Sequence, residues 1–388
     1  MTNLKIRKRS ETLYSLYICI LVFMCMMEAT SLKNFNDSWL HDILQLMALA
    51  IALFYIIIKK YTIKELVSTF LLNLVGILCF ISSGYSGLLM TMLAITLLPK
   101  GSLDEILHMI LVEETVVFFF IVIMSQIGVL SNQAFAINKG SYTVLAKTFG
   151  FEHPNMLAAQ AMSILLLYLC VNRNRVKKKH IAFAFLSAIV IFYFSKGRTS
   201  FILGVMAIIS IALQKKGKFK KFVFTILPWM YCIVLCMLVG CMFAYANFGE
   251  KNPIVIALND GLFNGRVGLA YRSLVVYPIT LFGKGIDTSI WNQWQYYSLD
   301  NGQVMVLLEY GIAGFICYFV IIQKTLNQIK KENEIVFAIV ISIFLIWSMY
   351  EGTMYFIGKN FALLFLGKIQ FSSTRRKVLD ERYDSHDS

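Results

Sequence analysis

Long, nearly uncharged apolar runs constrain this chain more than any other feature. A helix needs about 20 residues to cross about 30 Å of hydrocarbon. Runs of that order recur at 13–30, 39–58, 66–83, 86–99, 109–130, 154–171, 181–195, 199–213, 222–246, 303–323, 335–350 and 354–370. The run at 86–99 is short and ends at Pro99. The 388 residues are 58% hydrophobic and 15% charged, with mean hydropathy +0.68. A soluble domain of this size needs far more polar surface. The expected fold is an all-α integral membrane protein, one polytopic helical bundle of about twelve transmembrane helices over 1–388. The first run follows Lys5-Ile6-Arg7-Lys8-Arg9 with no small-residue cleavage site after it, so it reads as a signal anchor.

Charge tests the sidedness. With the N-terminus in the cytoplasm, the inner segments hold 26 of the 36 Lys and Arg, including Arg173, Arg175, Lys215, Lys216, Lys330, Lys331 and Arg375. Ten remain outside: Lys33, Lys139, Lys147, Lys196, Arg198, Lys251, Arg266, Arg272, Lys284 and Lys359. That is the positive-inside bias, and it places both termini, with a tail at 371–388, in the cytoplasm. The same loops account for the net charge of +14 through contact with membrane lipids rather than nucleic acid. The basic run at 173–179 has no interleaved aromatics. All eight cysteines fall within apolar runs and read as small buried residues.

The outer segments are uneven in length. Those at 131–153 and 247–302 are long, and long ordered connections tend to be functional. From Arg266 to Val276 apolar residues recur at helical spacing until Pro278. That pattern predicts an amphipathic helix on the outer leaflet, with Arg266 and Arg272 pointing to headgroups. Trp291, Trp294, Tyr296 and Tyr297 suit an interface or a sugar-stacking platform. On the inner side, the amphipathic stretch at 103–111 before Glu113 and Glu114 reads as a cytoplasmic interfacial helix. Glu28 and Glu351 stand near outer span ends, and Glu351 can reach an outer cavity.

Four outer features carry the candidate chemistry. Ser195-Lys196-Gly197-Arg198 joins two runs of about fifteen residues, each about 22 Å long as helix, so Arg198 sits at or just below the headgroup plane. A cation at that depth is either functional or an interfacial snorkelling arginine. Gly150-Phe151-Glu152-His153-Pro154-Asn155 is helix punctuation at the least. Phe263-Asn264-Gly265-Arg266 and Phe282-Gly283-Lys284-Gly285 set basic groups beside glycines, which lets backbone approach an anion closely. Asp300-Asn301-Gly302, followed by Glu309-Tyr310-Gly311-Ile312-Ala313-Gly314, reads as an N-cap and a helix-packing pattern, or as part of a site.

Taken in order and sidedness, these motifs resemble the superfamily of O-antigen ligases and O-antigen or capsular polysaccharide polymerases, the Wzy-like and WaaL-like membrane glycosyltransferases. The ligases carry His-[Asn/Ser/Gln]-x9-Gly-x-x-[Gly/Thr/Tyr] at the end of the large loop. Here nine residues separate Asp300-Asn301 from Gly311-x-x-Gly314, with Asp in place of His, which looks more like a repeat-unit polymerase. The resemblance implies a fold similar to GT-C-type glycosyltransferases in the bacterial cytoplasmic (inner) membrane. It implies undecaprenyl-diphosphate-linked oligosaccharides as substrates, with the chain-length regulator and flippase of the same pathway as further partners. Neither cofactor nor metal is expected, because the lipid diphosphate bond supplies the driving force and no paired acidic motif stands in a reachable outer loop.

The expected catalytic residues are Arg198 and Arg266, which meet charge developing on the diphosphate, and Asp300 as general base. His153 and Glu309 stand behind Asp300 as bases, and Arg272 and Lys284 are candidates for a second diphosphate. Asn155 and Asn301 complete the expected substrate-binding set. The alternatives are ligase-type transfer to another acceptor and, in a different class, a lipid-linked oligosaccharide flippase. A flippase has little use for an outer segment as long as 247–302, and no internal repeat of the kind transporters carry is evident.

Overall fold

The computed structural model describes residues 2–32, 35, 38–59, 61–99, 101–138, 143–286 and 299–371. Eight helices are long and apolar enough to cross a membrane, and they fall on eight of the expected runs. They are α1 (Thr2–Glu28), α2 (Trp39–Ile58), α3 (Ile63–Ser83), α5 (Leu103–Gln126), α6 (Pro154–Val171), α7 (Lys178–Ser195), the Gly217–Phe248 rod and α14 (Gly311–Lys331). The rod consists of α9 (Gly217–Ile226) and α10 (Met230–Phe248), joined by a tight turn at Pro228, and the short α11 (Pro253–Ile256) follows it.

Burial sorts these helices into layers. α6 is 72% buried, whereas α2 and α7 are each 17% buried. The outer helices expose Leu53, Phe54, Ile57, Phe70, Ile81, Phe119, Leu186 and Phe243. An apolar surface of that extent is the surface of a protein solvated by lipid. The chain is an all-α polytopic membrane protein.

The remaining expected runs are shorter than a bilayer requires. α4 (Gly87–Leu97) has 11 residues, α8 (Arg198–Ala212) 15 and α15 (Ile335–Trp347) 13. The last is a tight 3-10 helix over Phe361–Phe371. At 1.5 Å per residue α4 is about 16 Å long. Every residue from Leu88 to Leu97 is buried, as are Phe361 to Leu366 and nearly all of α15. α4, α15 and the last helix pack against protein rather than lipid, so they need not match the hydrocarbon thickness, whereas α8 also exposes Ile202, Met206 and Ile209. The sequence hides this, because a run that is apolar all round reads alike whether lipid or protein surrounds it.

The expected run at 303–323 is broken. α13 (Gly302–Glu309) ends at Tyr310, and α14 restarts at Gly311 with φ +69°. A strap at 280–284 docks into the break and satisfies its backbone. Ile312 and Ala313 donate to the carbonyls of Thr280 and Leu281 at 3.0 and 2.9 Å, and Lys284 N–H donates to Leu308 O at 3.3 Å. A Cβ on Gly311 would collide with the backbone of Thr280 and Gly283. The stretch at 103–111 is not a separate interfacial helix. It runs unbroken into α5, with Leu103, Ile106, Leu107 and Ile110 buried, because nothing at Glu113-Glu114 stops helix propagation.

At one end of the bundle Arg173, just after α6, pairs with Asp104 at 2.5 Å and with Glu334 at 3.2 Å, while Lys368 pairs with Glu332 at 2.5 Å. At the other end the 131–153 segment, whose residue pattern reads as loop, forms a hairpin. β1 (Ala134–Asn138) pairs antiparallel with β2 (Thr143–Lys147), Ala134 opposite Lys147. The chain after α1 joins the chain before α6 there, through Ser31 N–H to Gly150 O at 2.8 Å and Glu152 N–H to Ala29 O at 3.0 Å. Gly311→Ala is expected to destabilise the protein by about 2 kcal/mol, because left-handed backbone and a backbone collision coincide. Gly217→Ala, with no atom near the added methyl, leaves the melting temperature in detergent unchanged or raised. Equal melting of both variants would contradict this account of the break.

Candidate active site

The site grows from three segments at the hairpin end. Asn264 (φ +51°) and Gly265 (φ +83°) make a left-handed turn that starts α12 (Arg266–Val276). Asn259 locks that turn: its carbonyl accepts from Gly265 N–H at 2.6 Å, and its Oδ1 accepts from Gly268 N–H at 2.8 Å. Phe263 stacks on Tyr350 with ring centroids 5.2 Å apart. The helix is where the sequence put it, but Arg266 does not point to headgroups. It is 9% exposed and lies on the helix face that Ala270 and Ser273 also bury. Its Nε donates to Tyr350 O at 2.7 Å, and its Nη2 lies 3.1 Å from Asp300 Oδ2.

Asp300 is held in place through its neighbours Asn301 and Gly302. Asn301 is the N-cap of α13, its Oδ1 accepting from Gln303 and Val304 N–H at 3.2 and 3.1 Å. Its Nδ2 donates to Met349 O at 3.3 Å, and Gly302 N–H donates to Ser348 O at 2.8 Å. Arg266, Asn301 and Gly302 therefore all fasten onto the carbonyls of 348–350, the turn after α15. Gln303 adds a buried link, accepting from Tyr231 OH at 2.7 Å and donating to Ser348 Oγ. Asn301, expected among the substrate-binding residues, is buried and occupied as a cap.

His153 is the N-cap of α6. Its Nδ1 accepts from Asn155 N–H at 3.1 Å, which leaves the neutral ring's proton on Nε2. One flank meets the Phe135 ring edge-on at 5.1 Å, while the residue as a whole keeps solvent contact. Burial lowers the His153 pKa, Asp300 opposes that change and Arg266 adds to it. The hairpin end thus brings His153, Arg266 and Asp300 into one electrostatic neighbourhood. Glu351 belongs to it as well: burial pushes its carboxyl up to about 7, with Asp300 raising it further and Arg266 and Lys359 pulling it down.

The other expected residues lie elsewhere. Arg198 is exposed at the first position of α8. The preceding Gly197 packs its backbone on Ala158 and near Asn155 of α6, so Arg198 stands at the same end as His153. Asn155 is half-buried in the first turn of α6. Arg272 pairs with Glu250, which also accepts from Tyr245 OH. Those two hydrogen bonds, that from Tyr245 first, hold the Glu250 carboxyl below its ordinary range. Lys284 is exposed at the rim of a separate cavity of about 230 Å³, lined also by Tyr277, Pro278, Ile286 and Leu308. Glu309 is buried and accepts from Tyr355 OH at 2.9 Å, and Tyr310 OH lies 3.4 Å from that hydroxyl. The aromatic cluster Trp291, Trp294, Tyr296 and Tyr297 lies outside the described residues.

Sequence reasoning leaves Lys359 out of the site. Its signal is a cation inside the apolar run 354–370, where lipid would make it costly. No family model, curated protein or solved structure matches this chain.

The His153 cap carries a pH signature. A folded pKa below the ordinary 6.5 means that the cap's stability is fully present above about pH 6.5 and is lost as pH falls through the folded value. His153→Asn, which keeps a capping oxygen, is expected to melt with less dependence on pH between 6.5 and 5 than the wild type. Identical acid losses in both proteins would contradict the cap's titration.

Proposed function

We propose that the protein is a polysaccharide repeat-unit polymerase of the bacterial cytoplasmic membrane, with both termini in the cytoplasm. It transfers a growing glycan from undecaprenyl diphosphate to the sugar end of another lipid-linked repeat unit at the outer face. The single observation that carries the reading is the ion pair of buried Arg266 with half-buried Asp300, fastened to the 348–350 turn and bordered by His153. On a count of twelve crossings, eight by full-length helices and four by the shorter segments, this pair lies outside. The same count sets the Arg173, Glu332 and Lys368 ion pairs inside, and their grouping at one end supports it.

The chemistry rests on the groups present. The acceptor hydroxyl attacks the anomeric carbon of the donor sugar, and the bond from that carbon to the diphosphate oxygen breaks. The bonding electrons leave on the diphosphate. Asp300 takes the hydroxyl proton, and Arg266, held in place by Tyr350 O, opposes the charge growing on the leaving group. A guanidinium suits this because it keeps further N–H donors when two are engaged. Arg198, exposed near the start of α6, is a second cation within the headgroup layer. His153, with its proton on Nε2, donates a hydrogen bond to substrate rather than accepting the proton.

Purified protein in lipid nanodiscs, given a lipid-linked repeat unit and no nucleotide, is expected to build a glycan ladder. Asp300→Asn and Arg266→Lys each slow ladder growth by about 10²-fold or more. Full-length ladders at the wild-type rate in both variants would overturn this assignment.

A further inference from the structure

The cavity at Lys284 and the cation on its rim have no part in the transfer step. The strap that carries Lys284 is clamped on both sides of it. Gly283 O accepts from Ser82 Oγ, at the end of α3, at 2.7 Å. Lys284 N–H donates to Leu308 O at 3.3 Å, and Ile286 N–H donates to Tyr85 OH at 3.2 Å. The exposed ammonium is therefore carried on a fixed backbone, and it has no acidic partner among the described residues. Arg272, the other cation the sequence offers for a second anion, is already paired with Glu250. The cavity holds about 230 Å³, and Val276, Ile286 and Leu308 give it apolar walls. A basic rim over apolar walls suits the head of a lipid-linked anion, charged at one end and apolar at the other.

Two helices measure where the cavity stands. α12 begins at Arg266 and ends at Val276, and α13 begins just after Asp300 and carries Leu308 near its end. At 1.5 Å per residue these paths are about 15 and about 12 Å long. The Arg266–Asp300 pair thus lies at one end of both helices and the cavity at the other.

We propose that this cavity binds the diphosphate of the acceptor substrate, with Lys284 as its counter-charge. The inference rests on the polymerase reading and follows from the atoms that must meet. The donor's diphosphate is bonded to the carbon under attack, so it sits at Arg266. The acceptor's diphosphate is at the far end of its repeat unit from the attacking hydroxyl, so it cannot use the same cation. It needs a second cation one short oligosaccharide away from Asp300, and Lys284 stands at that separation.

The test uses two acceptors that cannot act as donors. One is the repeat unit on a short-chain prenyl diphosphate analogue whose anomeric oxygen is replaced by carbon. The other is the same repeat unit as a neutral alkyl glycoside. Purified full-length protein in nanodiscs of zwitterionic lipid receives each of them with the lipid-linked repeat unit as donor, and bond formation to the acceptor is followed by mass. The wild type is expected to use the charged acceptor with an apparent KM about ten-fold lower than the neutral one, the size of one charge-assisted hydrogen bond. Lys284→Gln, and Val276→Trp, which fills the cavity from an exposed position, each remove that preference. Three results overturn the acceptor site and leave the polymerase reading standing. These are an undiminished preference in Lys284→Gln, no preference in the wild type, and loss of the wild-type preference when phosphatidylglycerol is added to the discs, which makes the cavity a phospholipid site. Failure of the wild type to form any glycosidic bond, to these acceptors or to the lipid-linked unit itself, overturns both.

Discussion

The pair of buried Arg266 and half-buried Asp300 is the constraint around which the hairpin end of this protein is organised. A guanidinium that is 9% exposed must find acceptors, because an unpaired charge removed from water costs several kcal/mol. It finds one carboxylate and one backbone carbonyl, Tyr350 O. The Asn264-Gly265 turn aims it inward, Asn301 caps the helix after Asp300, and the 348–350 carbonyls tie the pieces together. Such a pair contributes little net stability. Its retention at the end of the bundle where Arg198 and His153 also stand argues for use on an anion.

The rest of the fold serves that geometry through an unequal division of helices. Long helices such as α2, α3 and α7 face lipid and expose their apolar side chains, while α6 is mostly buried. Three short ones, α4, α15 and the last tight helix, lie inside and so need not match a bilayer's thickness, while α8 also exposes Ile202, Met206 and Ile209. Breaking the span at Tyr310 gives the 280–284 strap a place to hydrogen-bond, which brings Lys284 and the Thr280 to Gly283 backbone down onto the bundle. Irregular backbone of this kind is tolerated at membrane depth only where protein or a cavity satisfies it.

Much of this is legible in the residues. The apolar runs and the helix at Arg266–Val276 come from spacing and charge, and the candidacy of His153, Arg266 and Asp300 comes from the order of their motifs in the family resemblance. The illegible part depends on direction. A helical arginine beside an apolar face reads the same whether it snorkels to lipid or turns inward, and only the Asn259-locked turn decides. Asn301 looks like a ligand because a cap and a polar site residue share their chemistry. Arg272 and Glu309 carry suitable groups, yet one is engaged by Glu250 and the other by Tyr355. The hairpin at 134–147 escapes a sequence reading because five-residue strands in a polar loop give too short an alternation to read. Lys359 is hidden by the apolar run around it.

Glycan transfer from a lipid diphosphate must release the carrier, whereas translocation of the same molecule releases nothing. The most direct measurement is the yield of free undecaprenyl diphosphate against glycosidic bonds formed by the purified protein, with lipid-linked repeat units as sole substrate. The polymerase account predicts one carrier freed for each bond made. Movement of intact lipid-linked units across the bilayer with no carrier freed and no bond formed would contradict it.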